Sequence, residues 1–242
     1  MKRKVLFFCP DGPLEIFALL VEELSDIVDP MFKGFELAEA SQPSWDWEVK
    51  HEVEAIDQLI RDNDIQNYDL VGYSSGASVL LAYLTGDFKK PNTAVLIEPL
   101  WIGNDEWSDE EIDYRREFDE MLALSPLEIA TAFKALFVQG NTGKLPDRNE
   151  KQLERDALNK RISWKGFMHT NLDRDTLKTL NIPVYLPVGT KSHPRMIQAA
   201  QFLSKLFPDV NIEFLEGQHH LNICFKGAKQ MAQVIRRMWS DD

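Results

Sequence analysis

Cysteine is nearly absent: Cys9 and Cys224 are the only two in 242 residues, each in or beside an apolar stretch. Thiols so placed read as buried and reduced, which excludes a disulfide framework. No metal-ligand spacing is present either, so no metal and no other cofactor is expected. Basic residues are in deficit, with 27 Lys and Arg against 39 Asp and Glu and a formal net charge of −12. That field repels phosphate backbones and anionic lipid, which removes nucleic acid and membrane surfaces as expected partners and leaves a small-molecule substrate. It weighs less against polyanionic substrates, because a local basic pocket can override it. Long hydrophobic runs are missing as well, and nothing approaches the length of a transmembrane helix. The start, Met1-Lys2-Arg3-Lys4-Val5-Leu6-Phe7-Phe8, imitates a signal peptide. Cys9-Pro10-Asp11-Gly12-Pro13 breaks its apolar run too early for an h-region, so it reads as a strand and the cytoplasm is the expected compartment. What is present, 44% hydrophobic and 27% charged residues, is the profile of a globular chain long enough for one large α/β domain.

Short apolar β-type runs alternate with helical patterns, as βα units around a largely parallel sheet do. Residues 4–9 read as a buried strand, and Leu14, Phe17, Val21 and Leu24 then share one helical face. Residues 45–50 are expected to form the second strand, before a helix carrying Ile56, Leu59 and Ile60. Residues 68–71, 93–97, 182–188 and 211–215 supply the others, for a sheet of about six strands. Helices are expected over residues 77–84, around Met196, Ala199, Ala200, Leu203 and Leu206, and at the end, with Ala228, Met231, Ala232, Ile235 and Met238 inward. Between residues 101 and 180 the strand signal disappears. Ser108-Asp109-Glu110-Glu111 and Ser125-Pro126-Leu127-Glu128 are helix starts, and Gly140 to Gly143 is a break between helices. The expected organisation is therefore an α/β core, residues 1–100 and 181–242, with a helical cap or lid inserted at 101–180. The first helix of that insertion should turn its carboxylates to solvent and Ile112, Phe118, Met121 and Leu122 toward the cleft.

Gly72-Tyr73-Ser74-Ser75-Gly76 lies between a strand and a helix, the context a nucleophile elbow requires. The glycines let strand and helix approach, and the serine oxygen then leaves the carboxyl end of the sheet. A hydroxyl is a weak nucleophile until a base takes its proton, so a histidine is needed. Of His51, His169, His193, His219 and His220, only the pair in Gly217-Gln218-His219-His220 follows the last strand, where a loop can return to the elbow. His51 and His169 read as surface or structural residues. Glu98 ends an apolar strand, where an unpaired charge would be costly.

These features resemble the α/β-hydrolase superfamily over the whole chain except the helical insertion. Leu96-Ile97-Glu98-Pro99, Ser192-His193-Pro194 and the Gly217 to His220 loop are similar to small bacterial members. The resemblance implies an α/β-hydrolase fold with a nucleophile, an acid and a histidine in that chain order. Its Gly-x-Gly-His register selects His220, whereas the Gly-x-His-aromatic form of thioesterase domains selects His219; the first is preferred. The acid commonly follows the penultimate strand, where this chain has Gly189-Thr190-Lys191-Ser192, and Ser192 cannot do a carboxylate's electrostatic work. Glu98 stands at the other position members use and takes the role. The oxyanion hole is expected from the amide of Ser75 and from that of Asp11, with Gly12 the alternative, because Pro10 and Pro13 have no N–H. The implied activity is hydrolysis of a small ester or thioester by Ser74, His220 and Glu98 through an acyl-enzyme. Another reaction on the same scaffold, such as C–C bond hydrolysis or a cofactor-free lyase step, and a non-catalytic binding protein are the competing readings.

Overall fold

The computed structural model describes residues 2–9, 14–39, 44–104, 109–137 and 149–240. In chain order the first half runs β1 (Arg3–Cys9), α1 (Ala18–Glu23), β2 (Val28–Gly34), α2 (Glu36–Glu39), α3 (Val49–Asp62), β3 (Asp69–Tyr73), α4 (Ser75–Thr85) and β4 (Ala94–Ile97). Among the described residues four helices follow without a strand: α5 (Asp109–Leu122), α6 (Pro126–Phe137), α7 (Glu150–His169) and α8 (Arg174–Lys178). The chain closes with β5 (Val184–Gly189), α9 (Pro194–Leu203), β6 (Val210–Leu215), α10 (Ile223–Lys226) and α11 (Ala228–Ser240).

The strands form one six-stranded sheet in the order β2-β1-β3-β4-β5-β6, and every neighbouring pair is parallel. A parallel strand covered on both faces needs apolar side chains at successive positions. β1 meets that need by sending Leu6 and Phe8 to one cluster and Val5, Phe7 and Cys9 to the other. Leu70 and Leu96 join the first, beneath Val53, Ile56 and Ile60 of α3 and Leu80 of α4. Val71, Val95 and Ile97 join the second, where Met231, Ala232 and Ile235 of α11 close the opposite face. A third cluster sits outside the sheet. Tyr114, Phe118, Met121 and Leu122 of α5 and Trp164 of α7 pack there on Leu100 and Met196.

The second strand is not where the sequence places it. Residues 45–50 form a turn and the entry to α3, and the strand beside β1 is β2. The apolar-polar alternation Trp45-Asp46-Trp47-Glu48-Val49-Lys50 imitates a half-buried strand. Trp45 is instead exposed, Trp47 turns in to donate its indole N–H to Glu52 at 2.8 Å, and Glu48 caps α3 with His51. β2 hides from a pattern search because it is an edge strand with Pro30 in its middle, tolerable where one side needs no ladder partner. α6 begins as expected, with Ser125 N–H donating to Glu128 at 3.1 Å. Ser108 and the Gly140 to Gly143 break lie outside the described residues. α5 departs from its expected division of faces. Ile112 is exposed and Glu111 is buried, while Phe118, Met121 and Leu122 do turn inward. Among the described residues no helix is long and apolar enough to cross a membrane.

Candidate active site

β3 ends and α4 begins at Ser74, which takes φ +57° and ψ −128°, a conformation an L-residue adopts only under constraint. The constraint is steric. A Cβ on Gly72 would lie 2.6 Å from Leu80 Cδ1, and one on Gly76 would lie 2.5 Å from the carbonyl oxygen of Phe8. Only glycine lets β3, α4 and β1 converge so closely, and the turn between them projects the Ser74 hydroxyl from the carboxyl end of the sheet. Ser75 is the first residue of α4, so its amide is one of those a helix leaves without an internal partner.

The loop after β6 brings His220 to this hydroxyl, with Nε2 at 3.0 Å from Ser74 Oγ. On its other side Nδ1 is 2.7 Å from Glu98 Oε2. Glu98 leaves β4 with φ +46°, a second left-handed residue beside the first. Its remaining oxygen, Oε1, accepts from Gly189 N–H at 2.7 Å and from the Ser192 hydroxyl at 2.5 Å. All three members of the chain Ser74, His220 and Glu98 are buried. Tyr73 fixes the imidazole from below: its ring stacks on His220 with centroids 4.8 Å apart, and its phenol donates to the His220 carbonyl at 2.7 Å. Burial pushes the Tyr73 phenol well above its usual range, so it remains a donor.

No protein-family model and no curated protein matches the chain. Solved structures do. MenH from S. aureus superposes with a TM-score of 0.76 at 15% identity, covering 99% of this chain and 94% of that one. The enol-lactonase from Burkholderia xenovorans LB400 gives 0.73 at 13%, covering 99% and 92%. The carboxylesterase CesB (YbfK) from Bacillus subtilis gives 0.69 at 15%, covering 100% and 85%. The chain has the α/β-hydrolase fold.

Within that α/β-hydrolase fold the other residues singled out in the sequence have different places. Asp11 lies outside the described residues. His219 has no hydrogen bond to Ser74 or Glu98; its backbone N–H donates to Asn222 Oδ1 at 2.8 Å, and burial lowers the pKa of its imidazole. His51 accepts from Glu48 N–H at the start of α3, and His169 ends α7 on the surface. His193 caps α9, with burial lowering its pKa. Ser192, dismissed as an acid, is a donor to the acid. Sequence inspection also passed over Tyr73, although it occupies the first variable place of the elbow motif, and Arg195. The Arg195 guanidinium, itself buried, grips Glu111 of α5 with Nε to Oε2 at 2.8 Å and Nη2 to Oε1 at 2.9 Å. It also donates to the carbonyl of Pro99, next to Glu98, at 3.3 Å.

A cavity opens beside the elbow. Leu100, Phe118, Phe133, Trp164 and Phe167 form its apolar walls. Ser75 lies at the elbow end, and Lys160 and Ser163 of α7 are its other polar members. Among the described residues no cluster of three or more His, Cys, Asp or Glu could hold a metal ion.

Proposed function

We propose that this chain is a serine hydrolase that cleaves an ester or thioester of a small molecule through an acyl-enzyme, with α5, α6 and α7 as a cap over the site. The observation that carries the reading is the continuous contact from Ser74 Oγ through His220 to Glu98, at 3.0 and 2.7 Å, placed on a strained elbow. His220 Nε2 stands where it can take the hydroxyl proton as Oγ attacks a carbonyl carbon. Glu98 Oε2 accepts Nδ1–H, which presents the lone pair of Nε2 to the serine and stabilises the imidazolium once it forms. The Ser75 amide, at the positive end of α4, suits the oxygen that gains charge in the tetrahedral intermediate. Collapse of that intermediate breaks the bond to the leaving group, which receives the proton from His220 Nε2. Water then attacks the acyl carbon with its proton passing to the same nitrogen, and the acid departs as Ser74 recovers its own.

Incubation with a fluorophosphonate followed by peptide mass spectrometry tests this directly. The expected adduct is on Ser74, abolished in Ser74→Ala, together with turnover of at least one member of a panel of short and long acyl esters and thioesters. Labelling at another residue, or turnover undiminished in Ser74→Ala, overturns it.

A further inference from the structure

The cavity beside Ser74 has an asymmetric lining. Lys160, Ser163, Trp164 and Phe167 follow the i, i+3, i+4, i+7 spacing of a single helical face, so one face of α7 forms a whole wall. With Leu100 of the core, Phe118 of α5 and Phe133 of α6 it lines a small cavity that also touches Ser75. Among the described residues Lys160 is the only charged side chain in that lining.

A cation here is conspicuous in a chain with 39 acidic residues against 27 basic ones. Some lysines elsewhere are matched with carboxylates, as Lys4 is with Asp29, Lys50 with Glu48 and Lys178 with Asp175, while Lys165 stands over the ring of Trp45. Lys160 meets a ring instead, its Nζ standing 4.6 Å from the centroid of Phe133. Among the described residues no carboxylate is within ion-pair distance of it. One carboxylate of the neighbouring helix is committed elsewhere: Asp119 of α5 accepts the Trp164 indole N–H at 2.6 Å. A half-buried lysine held against an aromatic face, in the lining of the cavity that also touches Ser75, is placed for an anion that arrives with the ligand.

We propose that the acyl group taken by this site is an apolar chain or ring ending in a carboxylate, and that Lys160 binds that carboxylate. The inference rests on the serine-hydrolase reading. The apolar side chains beside the elbow suit the acyl part, which stays bonded to Ser74 Oγ after the leaving group has gone. A single lysine matches a monoanion. A phosphate dianion would bring a second charge into the field of a molecule whose net charge is −12.

Two fluorophosphonates of equal length test it, one with an alkyl arm ending in methyl and the other in carboxylate. The carboxylate probe should label Ser74 roughly three to ten times faster, the effect of one partly exposed ion pair. In Lys160→Met the ratio of the two rates should fall to one or below, and in Lys160→Arg it should survive. Equal or faster labelling by the methyl probe on the unaltered chain, or a ratio unmoved in Lys160→Met, overturns the proposal while leaving the serine-hydrolase reading intact. Failure of both probes to label Ser74 removes that reading itself, and this inference with it.

Discussion

Glu98 receives three donors on two oxygens, the Gly189 N–H and the Ser192 hydroxyl from the end of β5 and its following turn and His220 Nδ1 from the loop after β6. Glu98→Gln cannot serve all of them, because its amide nitrogen must face at least one N–H or O–H. It should lower kcat by about two to four orders of magnitude, the scale found when a triad acid is neutralised, with a melting curve close to that of the parent chain. Ser192 acts through Glu98 as a positioning residue. Losing one hydrogen bond to a charged group is worth about 1.5–3 kcal/mol, so Ser192→Ala should slow fluorophosphonate labelling of Ser74 by roughly tenfold to a hundredfold. Ser192→Thr, which keeps the hydroxyl, should recover most of that rate; equal rates in all three would deny Ser192 the role. The candidate triad was legible because its local signals are strong: glycines at fixed offsets around Ser74, a histidine after the last strand, a carboxylate ending an apolar run. The role of Ser192 was not legible, since a hydroxyl says nothing about its partner until β5 is laid beside β4.

At the scale of elements, the joint between α5 and α9 is a two-pronged ion pair taken out of water. Removing one partner of such a pair strands the other, which costs about 3–5 kcal/mol. Glu111→Ala should therefore show a large loss in chemical denaturation, because Arg195 stays buried. Asp113→Asn breaks only the exposed pair with Arg116 and should move stability by less than about 1 kcal/mol. Similar losses for the two substitutions would show that the buried pair has no special weight. The pattern of charges along α5 reads as a solvated run. Glu111 also meets Arg115 one turn on at 3.5 Å, but the partner that holds it in the buried joint is Arg195, 84 residues further on, and such a partner leaves no mark on local periodicity. Phe118 and Met121 were readable as inward because the apolar stripe of a helix is a local property.

For the molecule as a whole, the sheet was readable wherever strands are covered on both faces and so carry unbroken apolar runs, as in β1 and β5; the exposed edge β2 was not. The overall charge has a kinetic consequence. An anionic probe approaching a chain of net charge −12 meets long-range repulsion that salt screens, while its short contact with Lys160 is screened less. Labelling by the carboxylate-tailed probe should accordingly speed up between low and physiological ionic strength, whereas the methyl-tailed probe should respond little; a fall in rate with added salt would show that the local cation governs approach as well. The two left-handed residues of the candidate site, Ser74 and Glu98, carry a different consequence. Strained backbone of this kind costs about 1–3 kcal/mol per residue, and glycine would relieve it at an entropic cost of about 0.4–1 kcal/mol in the unfolded chain. Ser74→Gly should then melt a few degrees higher, about 2–4 °C for each kcal/mol gained in a chain of this size. A directed-evolution campaign that selects variants for heat tolerance alone would thus be steered toward inert protein, and its winners would need a reactivity assay before any were kept.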